Sequence, residues 1–218
     1  MPTGTEDYYA QRAAEYDEVY AKPERQEDIA AVGQLVTTML TGRSVIDIAA
    51  GTGFWTEQYA DVARCTTACD INGEVLAVAR ARRRWPSGVR FCRADAFALG
   101  AVDGRFDAAF VGFLWSHIKR RALDSFLAGV VERLDPGALV VVVDNNHVEG
   151  SNGEIIDADD DGNTYQRRRL ADGREWVVRK NFPAPLEVAT RLAEHGGSVE
   201  VRSMTYFWAA TFRTPEGR

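Results

Sequence analysis

Between residues 44 and 144 the chain alternates short apolar runs with stretches of helical character, and this rhythm constrains its fold more than any other feature. The runs at 44–48, 66–70, 89–93, 106–111 and 138–144 are rich in Val, Ile, Phe and Thr, whose branched or flat side chains suit a pleated surface. Helical segments fall at about 55–62, 73–84 and 120–134. Strands separated by helices in this way pair in parallel, and the helices cover both faces of the sheet. The run at 138–144 is continuously apolar, as a strand buried on both faces requires.

The flanks read differently. Tyr9, Arg12, Tyr16 and Tyr20, spaced three, four and four, share one helical face, and Pro23 ends that helix before a second one over 25–40. After Asp144, the runs 164–170 and 174–180 flank Asp172-Gly173, a hairpin signal. A helix over 185–195 is stopped by Gly196-Gly197, and two closing strands follow at 199–204 and 206–212. The expected architecture is an α/β domain: a doubly wound, Rossmann-like, seven-stranded sheet, mostly parallel with an antiparallel last strand. It comprises a helical N-terminal cap (1–42), a core (43–144), a β-hairpin insertion (145–182), and a closing helix and strand pair (183–218). The length of 218 residues suits one such domain with small additions.

Composition excludes several classes. Hydrophobic residues at 45% and charged residues at 27% are those of a globular protein. The longest apolar run, 108–115, is far short of the ~20 residues of a membrane span. No charged-then-apolar leader opens the sequence, so a cytoplasmic protein without a membrane partner is expected. The net charge of -6 argues against nucleic-acid binding, which needs Lys and Arg to neutralise phosphates. Cys65, Cys69 and Cys92 are an odd number without CxxC spacing, and read as unpaired thiols rather than metal ligands. The acidic run 157–162 imitates the start of a calcium loop, but its twelfth position is Arg168, so a solvated acidic loop is expected and no metal. Arg80, Arg82, Arg83 and Arg84 end a helix, where cations offset its dipole.

The chemistry concentrates after the first strand. Val45-Ile46-Asp47-Ile48-Ala49-Ala50-Gly51-Thr52-Gly53 sets a glycine turn between strand and helix. Such a turn is either a tight connection or a place where backbone approaches a nucleotide-like ligand. Asp70 ends the second strand, where a carboxylate accepts from ribose hydroxyls. Asp95 follows the third, positioned to accept from an adenine amine, with the Phe97 ring beside it. Three such positions at successive strand ends form one crevice at the carboxyl edge of the sheet.

These residues resemble the class I S-adenosylmethionine-dependent methyltransferases: Asp47 to Gly53 the first motif, Asp70 the ribose acid, Asp95-Ala96 the adenine motif, and 106–110 the fourth-strand motif. Ala49 stands where the family's first glycine is usual. The segments 8–17, 51–56 and 115–118, with the hairpin 166–174, resemble bacterial small-molecule O-methyltransferases, phosphonate-methylating members among them. The resemblance implies S-adenosyl-L-methionine as cofactor and S-adenosyl-L-homocysteine as product, with Tyr9, Arg12, Tyr16, Ala49, Gly51, Trp55, Asp70, Asp95, Ala96, Phe97 and Val111 on the cofactor. It places Tyr20, Trp115, Arg168 and Lys180 on a small-molecule acceptor, in natural-product biosynthesis, and gives His117 the catalytic position.

A neutral hydroxyl or amine acceptor needs its proton removed, whereas a carboxylate or phosphonate is already ionised. His117 is therefore a general base, a substrate ligand or a structural histidine. Arg168 and Lys180 on one hairpin suit an anionic acceptor, and oxygen is the expected acceptor atom before nitrogen or carbon. A dinucleotide oxidoreductase would want the third glycine of GxGxxG and a Tyr-x-x-x-Lys, which this chain lacks. A cofactor-binding module without activity would lack an acceptor cavity.

Overall fold

The computed structural model describes residues 5–170 and 172–217. Its strands run in chain order β1 (Ser44–Ile48), β2 (Cys65–Asp70), β3 (Val89–Arg93), β4 (Ala108–Gly112), β5 (Leu139–Asn145), β6 (Ile155–Ala158), β7 (Thr164–Arg169), β8 (Glu175–Arg179), β9 (Gly197–Ser203) and β10 (Phe207–Arg213). The helices are α1 (Thr5–Gln11), α2 (Gln26–Leu40), α3 (Phe54–Tyr59), α4 (Gly73–Arg82), α5 (Leu123–Glu132) and α6 (Pro185–Ala193). Seven strands form one sheet in the order β3-β2-β1-β4-β5-β10-β9. β1 to β5 are mutually parallel, and β10 runs antiparallel to both its neighbours.

The alternation of side chains along β5 explains its unbroken apolar run. Val140 and Val142 enter one core with Phe126, Leu127 and Leu192 from α5 and α6. Val141 and Val143 enter the opposite core with Val32, Val36 and Leu40 of α2. Each face is therefore sealed by its own helices, and the strand carboxyl ends stay open along one edge.

The insertion holds more than the hairpin. β7 and β8 pair around the Asp172-Gly173 turn, where Gly173 has a φ of +88°, but β6 adds a third antiparallel strand. β6 includes Asp157 and Ala158, which the sequence placed in a solvated acidic loop. Asp159 then closes the turn into β7 by accepting from the Asn163 backbone and side chain and from the Tyr165 hydroxyl. Ala171, which the sequence places in the hairpin, and residues 1–4 and 218 at the termini lie outside the described residues.

The cap also departs from expectation. Only Thr5–Gln11 is α-helical, and Ala13–Tyr20 winds as a tighter 3-10 segment. Asp17 is the anchor, accepting from Thr52 in the glycine loop at 2.5 Å and pairing with Arg82 of α4. Tertiary contacts thus override the α-helical spacing. α1 is fastened to the insertion by Tyr8, which is buried with Leu170, Trp176 and Val178. Cap and insertion together roof the open edge. No helix among the described residues is long and apolar enough to cross a membrane.

Candidate active site

Three left-handed residues coil the chain after β1: Ala49 (φ 59°), Gly51 (φ 57°) and Gly53 (φ 77°). The coil turns the Gly51 N–H toward Asp70, whose Oδ2 accepts it at 3.0 Å while Oδ1 accepts from the Asn72 N–H at 2.9 Å. Beneath the coil, Asp47 accepts from the Thr56 and Tyr59 hydroxyls, each at 2.6 Å, and burial pushes its carboxyl up to about 6. Asp47 therefore braces the loop from below and lines none of the cavities described next.

Three cavities open along the carboxyl edge. The first, about 470 Å³, is lined by Ile48, Ala49, Asp70, Asp95, Ala96 and Phe97 among others. Asp95 accepts from the Phe97 N–H through Oδ1, and the Phe97 ring is 53% exposed. The second, about 120 Å³, shares Ala49, Asp70 and Leu114 with the first and adds Gly51, Tyr9, Tyr16 and Phe113. The third, about 160 Å³, lies between cap and insertion and shares Tyr9, Tyr16 and Phe113 with the second. His117 lines all three.

The His117 tautomer follows from its partners. Nδ1 lies 2.7 Å from the Arg179 carbonyl, which can only accept, so Nδ1 carries the proton. Nε2 then accepts from the Tyr9 hydroxyl at 2.8 Å. Burial, and then the Lys180 ammonium, push the ring down to about 3. Burial likewise pushes the Tyr9 hydroxyl well above its ordinary value. Both groups are neutral at pH 7, and the lone pair of the histidine is already engaged.

Among the described residues, the third cavity is lined by five cationic side chains, Arg12, Lys22, Arg25, Arg168 and Lys180, and by no carboxylate. They are not equally free. Lys180, 5% exposed, donates to Ser116 Oγ at 2.7 Å and faces Asp144 Oδ1 at 3.3 Å. Asp144 also accepts from the Ser116 N–H and hydroxyl and from Asn145. Arg168 and Lys180, expected together at the acceptor, both line this cavity: Lys180 lies just past β8 with its charge balanced by Asp144, while Arg168 stands opposite Trp176 in the hairpin register. The Arg168 guanidinium donates to Gln166 Oε1 and makes no ion pair among the described residues. Arg12 rests against the Tyr8 and Tyr16 rings.

Most residues expected at the site converge, but three do not. Trp55 stacks behind Phe113, with ring centroids 5.4 Å apart, and lines none of these three cavities. Val111 points into the core from β4, leaving Gly112 to face the second cavity. Trp115 packs edge-on against Trp208 in the same core. In each case a large or branched apolar side chain finds more burial inside than at the edge. The sequence reading missed Phe113, a left-handed residue at φ 60°, and Lys22, Arg25 and Ser151, which carry no motif.

Residues 45–137 match the methyltransferase domain family. The structure of DhpI in complex with SAH is 30% identical in sequence, covers 97% of this chain and 95% of that one, and has a TM-score of 0.74. The DhpI–SAM–HEP complex gives 28%, 96%, 99% and 0.76. The chain belongs to the class I S-adenosylmethionine-dependent methyltransferases. A demethylmenaquinone methyltransferase of Renibacterium salmoninarum is 30% identical over 144 residues, so this chain matches 59% of that relative's length. S-Adenosylmethionine is the cofactor of the methyltransferase family, and the residues present fit it. The first cavity has an exposed carboxylate and an exposed ring, the second a buried carboxylate beside backbone coiled by left-handed residues.

Proposed function

We propose that this methyltransferase moves a methyl group from S-adenosylmethionine to an oxygen of a small anionic acceptor, a phosphonate or a carboxylate. The observation that carries this reading is the third cavity, whose lining has five cations and no carboxylate among the described residues. Planar guanidinium groups match the paired oxygens of such anions, and a positive cavity draws them out of water.

When bound, the cofactor supplies a methyl on a cationic sulfur, which keeps the bonding pair and leaves as S-adenosylhomocysteine. Asp70 accepts from the ribose hydroxyls and Asp95 from the adenine amine, with Phe97 beside the base and Ala96 in the wall. Ala49 and Gly51 bring backbone close to the methionine part. Tyr9 and Tyr16 separate cofactor from acceptor, while Arg12, expected on the cofactor, lines the third cavity alone of the three and closes the acceptor side with Tyr20. Arg168 holds the acceptor anion, and Lys180, kept in place by Asp144, faces it.

An anionic oxygen forms its new bond to carbon without losing a proton, so no base is required. His117 suits that economy. A ring pushed down to about 3, with Nε2 engaged by Tyr9, is a poor base at pH 7. Its part is to hold the Tyr9 hydroxyl at the boundary between the second and third cavities.

A screen of phosphonates, carboxylates, phenols and amines with methyl-labelled cofactor tests the reading. Label is expected in a small phosphonate or carboxylate ester, and Arg168→Met is expected to raise the KM for that acceptor at least about tenfold with cofactor affinity kept. Transfer confined to a phenol, an amine or a carbon acceptor would overturn it.

A further inference from the structure

Arg25 is 7% exposed and makes no ion pair among the described residues. Two of its nitrogens, Nε and Nη2, hold Ser151 through the hydroxyl (3.1 and 2.8 Å) and the carbonyl (2.9 Å). The Tyr206 ring lies 5.7 Å from the guanidinium carbon. Nη1 has no hydrogen-bond partner among the described residues. Lys22 reaches the same Ser151 carbonyl at 2.9 Å. The nearby Glu24 meets Lys22 at 3.9 Å and accepts from Ser151, on an exposed surface, rather than bonding to Arg25.

Fastening Ser151 explains one edge of the guanidinium but not the charge. A neutral amide could donate to the same oxygens, whereas burying an unpaired cation is costly unless something balances it. Burial holds the Arg25 guanidinium below its ordinary value; the Glu24 carboxylate opposes that and the Arg168 charge adds to it. Lys22, Arg25 and Ser151 line the third cavity alone, while Tyr9, Tyr16, Phe113 and His117 form the wall it shares with the cofactor side. The positive charge therefore extends beyond the place where methyl transfer would occur.

We propose that Arg25 and Lys22 form a second anion subsite, so that the acceptor carries an anionic group in addition to the one that is methylated. This rests on the anionic-acceptor reading above. The ligand class is a small bifunctional acid, such as a phosphonate bearing a carboxylate a few bonds away. Its second group meets the free edge of Arg25 and the Lys22 ammonium, and its length sets which oxygen reaches the Tyr9–His117 wall.

Calorimetry on the protein loaded with S-adenosylhomocysteine compares 3-phosphonopropionate with ethylphosphonate. The parent is expected to bind the two-headed probe at least about tenfold more tightly. Arg25→Gln and Lys22→Met are each expected to weaken 3-phosphonopropionate about tenfold and ethylphosphonate less than about threefold, without changing affinity for S-adenosylhomocysteine. Lys22 shares the Ser151 carbonyl with Arg25, so Lys22→Met leaves the loop held by Arg25 and keeps the test sound if Arg25→Gln loosens it. Equal binding of both probes to the parent overturns the second subsite alone. So do variants that weaken both probes equally, which would mark these cations as loop fasteners. If neither phosphonate nor the matching carboxylates bind the parent, the anionic-acceptor reading falls and takes this one with it.

Discussion

Ala49 holds a φ of +59°, where a Cβ crowds the following carbonyl, and it does so at the position usually given to glycine in this family. Replacing it by glycine relieves the crowding but leaves more freedom in the unfolded chain, so the two effects partly cancel. Ala49→Gly is expected to raise stability by up to about 1 kcal/mol, read from urea unfolding midpoints. A loss of similar size would mean that the Ala49 methyl packs usefully against the first two cavities. The two acids of the crevice separate by the same kind of reasoning. Asp70 is buried and holds the Gly51 and Asn72 N–H groups, so Asp70→Ala leaves donors unsatisfied as well as removing a ribose partner. That is expected to weaken S-adenosylhomocysteine binding more than tenfold by calorimetry. Asp95 is exposed, and Asp95→Ala is expected to cost only severalfold. Equal affinities in the parent and both variants would remove these residues from the cofactor site.

At the scale of elements, one buried carboxylate ties three segments together. Asp144 ends β5, binds the backbone and hydroxyl of Ser116 in the turn that carries His117, and balances Lys180 at the end of β8. Burial alone would raise this carboxyl, but the Lys180 ammonium and the donated N–H bonds hold it below the usual carboxylate range. Removing one member of such a pair strands the other charge, so Asp144→Ala is expected to lose ~3–5 kcal/mol in denaturant unfolding. Asp144→Ala combined with Lys180→Met should recover much of that loss, and a double variant no more stable than the single one would refute the pairing. None of this was legible in the sequence, because the partners lie 28 and 36 residues from Asp144 and only folding joins them. The parallel sheet was legible, since burial on both faces writes itself into β5 as an unbroken apolar run. The crevice acids were legible for a related reason, as strand ends place Asp70 and Asp95 by topology alone. β6 was not, because all its side chains are exposed and no alternation marks it. The 3-10 winding of the cap was hidden too, being imposed from outside through Asp17. Arg25 was equally invisible, a lone arginine whose meaning comes from Ser151 across the fold.

Stability against acid belongs to the whole molecule, because every group whose proton affinity changes on unfolding adds to one slope. Two buried groups oppose each other here. His117 sits near 3 when folded and near 6.5 when unfolded, so between those values the unfolded chain binds the extra proton. Its contribution is fully present above about pH 6.5 and is lost as pH falls towards 3. Asp47 runs the other way: burial raises it from 3.8 to about 6, so its contribution is full below 3.8 and lost as pH rises through 6. Between about pH 4 and 6 the two slopes largely offset each other, and surface carboxylates add a background common to every variant. His117→Gln removes one of the opposed groups, and glutamine can still accept from Tyr9 and donate to the Arg179 carbonyl. Relative to the parent, this variant is expected to gain about 1.4 kcal/mol of stability for each pH unit of acidification in that window, the value of one proton. Unfolding midpoints at pH 4.5, 5.5, 6.5 and 7.5 measure the difference directly, with the shared background cancelling. Parallel curves for parent and variant would mean that His117 takes up a proton readily in the folded protein. In that case it would also be competent as a base, and the preference for an acceptor that arrives already ionised would lose its chemical ground.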